Sequence, residues 1–134
     1  MGIGDVADES AAILGNSLAV NRIMISVTIW CTGISPKGYL GSSKCLRSPH
    51  SNLTELNLSE SIQIEEGAVA IFRSLINNTS LKKLVLTNNY FISSEVWTTC
   101  FRLLVGSQSA LEELHVDCCE IDDDGANVLI HLLS

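Results

Sequence analysis

Three nine-residue segments, LTELNLSES from Leu53, LKKLVLTNN from Leu81 and LEELHVDCC from Leu111, superpose as LxxLxLxxN with changes tolerated in the last column. A weaker copy, MISVTIWCT, begins at Met24, so the starts lie 29, 28 and 30 residues apart. Random apolar clustering does not keep a period over four copies. A period of this length marks one supersecondary unit repeated along the chain, each unit needing its neighbour to bury its apolar face.

The second half of each unit recurs as well. Six residues beyond the last motif column stand Gly38, Gly67 and Gly125, with Glu95 in the remaining copy. A pattern of helical period follows. Ala68, Ile71, Phe72 and Leu75 fall on one helical face, and Ala126, Leu129, Ile130 and Leu133 take the same offsets in the last unit. Residues 3–21 read as the back half of an earlier unit, with Leu14, Leu18 and Asn21 matching Ile71, Leu75 and Asn78. Each unit is therefore predicted to be a short strand followed by a helix, with Leu53, Leu56 and Leu58 pointing inward. The ninth motif column, Thr32, Ser61, Asn89 and Cys119, is expected to be a structural ladder whose side chains bond the turn leaving each strand.

These residues resemble the leucine-rich repeats of ribonuclease-inhibitor type, a pattern shared by ribonuclease inhibitors, sensor domains of NOD-like receptors and GTPase-activating proteins for Ran. The resemblance covers nearly the whole chain. It implies an α/β solenoid forming a partial horseshoe, with parallel strands on the concave face and helices on the convex face. The expected organisation is a single domain over 1–134, or a piece of a longer array, with units near 24, 53, 81 and 111 after the N-terminal half-unit. What the resemblance implies about function is a noncatalytic scaffold that binds a protein through its concave sheet.

Alternation along the strands selects the side chains on that face. They are Ser26, Thr28 and Trp30, then Glu55, Asn57 and Ser59, then Lys83, Val85 and Thr87, then Glu113, His115 and Asp117. The candidate partner-binding set is Trp30, Glu55, Asn57, Lys83, Val85, Glu113, His115 and Asp117. The row Glu55, Lys83, Glu113 changes sign from strand to strand, which fits cross-strand stabilisation as well as binding. Trp30 reads either as an interface anchor or as a residue covered by the N-terminal segment.

His115 and Asp117 share one strand face, as a base and its orienting carboxylate would, but no nucleophile elbow accompanies them and a shallow sheet excludes water poorly. No catalysis is expected. His115, Cys118 and Cys119 lack further zinc ligands, because adjacent cysteines diverge into core and surface. Glu120, Asp122, Asp124 and Gly125 mimic the opening of a calcium loop, but His131 stands where a bidentate Glu is required. Neither a metal nor another cofactor is expected. Asp122, Asp123 and Asp124 read instead as acids at a helix N-terminus.

Charge narrows the partners. Eight Lys and Arg stand against fifteen Asp and Glu, a net charge of −7, and Lys82-Lys83 is the only adjacent basic pair. Nucleic acid and anionic membrane surfaces are disfavoured, and basic proteins are favoured. Seven of the acids lie between Glu112 and Asp124, which raises a second reading, a regulator that inhibits or activates an enzyme such as a basic ribonuclease or a small GTPase. Nothing matches the residues by which a GTPase-activating protein acts. The start MGIGDVADES does not read as a secretory signal, and the Ser17–Trp30 stretch is interrupted by Asn21 and Arg22, so a cytoplasmic, non-spanning protein is expected. In that setting the five cysteines, with no paired spacing, are expected to be reduced, and the sequons at Asn52, Asn57, Asn77 and Asn78 to be by-products of the repeat.

Two departures stand out. After Gly38, Ser42 occupies an apolar position and Gly41 and Pro49 intervene, so that helix is expected to be short, and a nonfunctional repeat fragment is a third reading. Gln63 stands where Ile34, Phe91 and Ile121 are expected to fill an apolar slot after the strand, unless Ile62 or Ile64 takes its place by a local shift. With aromatics at 5%, the core is expected to consist of Leu, Ile, Val and Ala, as a row of neighbour contacts with no single centre.

Overall fold

One leucine between two polar residues suffices to make a strand one-sided, and each strand here is scarcely longer than that. The computed structural model describes residues 2–3, 26–29, 43, 46–47 and 52–133. Strands β1 (Gly2–Ile3), β2 (Ser26–Ile29), β3 (Glu55–Asn57), β4 (Lys83–Val85) and β5 (Glu113–His115) form one parallel sheet in chain order. The register aligns Val27 with Leu56, Leu56 with Leu84, and Leu84 with Leu114. Helices α1 (Glu65–Leu75), α2 (Ser94–Leu104) and α3 (Asp123–Leu133) follow β3, β4 and β5, and each packs on the next. Ser43, Leu46 and Arg47 are also helical, and Leu46 is buried. Gly2–Ile3 is strand, so the half-unit expected over 3–21 begins on a strand residue, and its remainder lies outside the described residues.

The helix starts are set by local chemistry. Ser93 Oγ accepts a hydrogen bond from the Val96 N–H at 3.4 Å, and Asp122 Oδ1 accepts one from the Gly125 N–H at 2.9 Å. Acids occupy the first turns, Glu65 and Glu66 in α1, Glu95 in α2, and Asp123 and Asp124 in α3, where they face the positive end of the helix dipole. Arg73 and Arg102 lie in the last turns of α1 and α2, where the dipole favours cations.

Ala68, Ile71, Phe72 and Leu75 are fully buried, on the face the spacing predicts. In α3 the expected face is corrected: Ala126 is exposed and Ile130 is 64% exposed, while Val128, Leu129 and Leu132 pack against the core. The physical reason is that α3 has one helical neighbour, α2, whereas α2 is held on both sides.

Three described helices against a parallel sheet make a small α/β domain. This corrects the leucine-rich-repeat solenoid with its partial horseshoe and concave and convex faces. Curvature in a horseshoe is summed over many units, whereas here few units converge on one centre. The core is built mostly of Leu, Ile and Ala, as expected, but three aromatics meet within it, where a row of neighbour contacts with no single centre was expected. Phe72 meets Trp97 and Phe101 edge-on with ring centroids 6.3 Å and 5.8 Å away, and Trp97 stacks on Phe101 at 6.1 Å. All three are fully buried among Leu58, Ile62, Leu84, Leu86 and Ile92. Burying each such side chain contributes about 2 kcal/mol. No helix among the described residues is long and apolar enough to cross a membrane.

Candidate functional site

Pairing in register builds the open face of the sheet. Glu55 faces Lys83, Lys83 faces Glu113, and Asn57, Val85 and His115 form the next row. Leu56 and Leu84 point into the core on the other side. Lys83 Nζ lies 3.8 Å from Glu113 Oε2, and beside it Lys82 Nζ lies 3.3 Å from Glu112 Oε1. These pairs are solvent-exposed, so each contributes about 0–1 kcal/mol. His115 Nε2 stands 3.3 Å from Glu113 Oε2, so its carboxylate neighbour is Glu113 and not Asp117. Asp117 is exposed at the end of the strand. Trp30, with Thr32 of the ladder, lies outside the described residues. Seven of the eight candidate binding residues are thus placed, and Glu55, Asn57, Lys83, Val85, Glu113 and His115 share one surface.

The ladder is built by bonds within and between units. Asn89, 1% exposed, accepts from the Ile62 N–H at 2.8 Å and donates to the carbonyls of Leu58 at 3.2 Å and Leu86 at 2.6 Å. Cys119 Sγ donates to the Leu86 carbonyl at 3.2 Å, and Ser61 Oγ donates to the Ser59 carbonyl at 3.0 Å. Burial raises the Cys119 thiol and pushes that of Cys100 up to about 12, so neither sits in a setting that favours the nucleophilic thiolate. Cys118 is exposed. Among the described residues no group of three or more His, Cys, Asp and Glu is placed to hold a metal ion.

Two features escaped the sequence pattern. The residue before each ladder position, Glu60, Asn88 or Cys118, has φ of 57°, 63° or 55°. This left-handed step turns β3, β4 and β5 toward their helices, and of the three only Asn adopts it readily. The second feature lies just beyond. The buried residue after the strand is Ile62, one position past Ser61, but Ile92, three positions past Asn89. Phe91 is therefore corrected from slot filler to surface: Tyr90 and Phe91 are the two intervening residues and stand 60% and 70% exposed. Tyr90 Oη donates to Asn88 Oδ1 at 3.0 Å, and Asn88 Nδ2 donates to Glu60 Oε1 at 3.2 Å. Together with Ile62, Gln63 and Asn89 they border a surface cavity of about 240 Å³. Two consecutive aromatics in a chain with seven were the available signal.

No family model matches the sequence, and neither does any curated protein compared with it. Among solved structures the chain is similar to "Leiomodin-1 Actin-Binding Site 2 (ABS2)", with a TM-score of 0.73 and 16% identity over 98% of this chain and 80% of that one. The likeness is to an actin-binding segment of leiomodin rather than to a ribonuclease-inhibitor-like solenoid, and at this identity what the two share is the fold.

Proposed function

We propose that this chain is a noncatalytic module that binds a protein partner through the open face of its parallel sheet. The observation that carries the reading is the continuous surface formed by Glu55, Lys83 and Glu113 beside Asn57, Val85 and His115, held in register by the backbone and left uncovered by the helices. Rigid strands present these side chains at little entropic cost on binding. A cytoplasmic setting suits exposed Cys118 and the absence of bridges among the described cysteines. Because a similar solved structure is an actin-binding site, actin is the first partner to test.

Co-sedimentation with filamentous actin and gel filtration with monomeric actin are the first measurements, followed by crosslinking in cell extract. The expected outcome is a protein partner whose affinity falls about tenfold when Lys83→Gln and His115→Ala are combined, with the fold retained by circular dichroism. A partner bound equally well by the double variant overturns the sheet-face reading. Turnover of GTP or RNA altered by the chain would favour the regulator of an enzyme instead.

A further inference from the structure

In a sheet of parallel strands joined by helices, all strand ends and all helix starts lie along one edge. Nine carboxylates occupy that edge in the last three units, Glu60, Glu65, Glu95, Asp117 and Glu120 among them. The four Lys and Arg of the same units, Arg73, Lys82, Lys83 and Arg102, belong to the opposite edge, where the helices end and the strands begin. That opposite edge also carries Glu55, Glu112 and Glu113, so among the described residues of these units the strand-end edge is the strongly acidic one, and the exposed aromatic pair Tyr90 and Phe91 stands on it.

We propose that the Tyr90–Phe91 turn is a docking site for an arginine side chain carried by a basic segment of a protein partner. The guanidinium lies against an aromatic face and directs its N–H groups to the Glu60 carboxylate. Each part of this site is preorganised. The Tyr90 hydroxyl is tied to Asn88, Asn88 is tied to Glu60, and Glu65 Oε1 accepts from the Ser93 N–H at 3.4 Å. A carboxylate has about four acceptor positions, so Glu60 can receive a guanidinium beside the partners it already holds. Arginine suits the site better than lysine, because its planar fork both stacks on a ring and pairs with a carboxylate. The acidic edge attracts such a segment and repels an anionic lipid surface.

This proposal rests on the protein-binding reading and adds a second contact outside the sheet face. Fluorescence polarisation with a labelled peptide of three Arg-Gly-Leu repeats tests it, against matched peptides carrying lysine or citrulline. The expected result is that the arginine peptide binds and the others bind about tenfold more weakly. Tyr90→Ser with Phe91→Ser lowers affinity about tenfold at constant net charge, and Glu60→Gln lowers it several-fold. Both aromatics are exposed, so the thermal midpoint of the double variant stays that of the native chain, and Phe91→Ser alone serves as the milder variant. Failure of the native chain to bind the peptide overturns the proposal, as does equal binding of the lysine peptide or undiminished binding by the aromatic variants. The two readings fail separately. A natural partner retained by the aromatic variant but lost by the Lys83 and His115 variant rejects the docking turn and keeps the module.

Discussion

Asp122 shows how much one side chain settles at a helix start. Its carboxyl is held below the ordinary aspartate range, chiefly by the Gly125 N–H and further by Ser94 and Thr98. A folded-state pKa below the unfolded one means that the unfolded chain binds the proton first. The stabilisation is therefore present above about pH 4 and is lost as pH falls through the folded value. Asp122→Ala is expected to lower the thermal midpoint at neutral pH and to flatten its decline below about pH 4. Melting curves of both proteins over this range check it, and parallel declines count against the linkage. Asn89 teaches a related lesson. Its column and its bond to Leu86 in the turn leaving its own strand were legible from the period, but its bonds to Ile62 and Leu58 follow only from the way neighbouring units meet.

Among the elements, the contact of α2 with α3 is close-fitting. A Cβ on Gly125 would stand 3.0 Å from Thr98 Oγ1 and 3.1 Å from Ile121 Cγ2, so the two helices approach over a residue with no side chain. Gly125→Val is expected to destabilise by about 2 kcal/mol through overpacking, while in Gly125→Ala a helix-propensity gain of about 1 kcal/mol offsets part of the strain. Urea unfolding measures both, and a Val variant with an unchanged midpoint would show that this contact does not set the helix spacing. Gly at this offset recurred in three of the four units, with Glu95 at the start of α2. That the glycine permits close approach of the preceding helix is visible only once the helices are side by side.

For the whole molecule, the aromatic centre makes the described units one cooperative body. Phe101 touches Phe72 of the preceding unit and Trp97 of its own helix. Phe101→Ala is expected to cost about 4 kcal/mol and to shift far-ultraviolet circular dichroism and tryptophan fluorescence transitions together. A cost below about 1 kcal/mol, or two separated transitions, would return the core to a row of independent neighbour contacts.

The sequence by itself determined the period, the order of strand and helix, the parallel pairing and the strand residues that face inward, because these depend on local alternation and on repetition of the same unit. It also brought Glu55, Lys83 and Glu113 into one row, since equal spacing implies equal register. Only the tertiary structure decided that the domain has a single aromatic centre, that His115 stands against Glu113, and that Tyr90 and Phe91 turn outward. Whether Phe91 or Ile92 enters the core depends on where α2 docks after the turn. That position is set by Phe72, Trp97 and Phe101 packing across units, a contact no single unit contains.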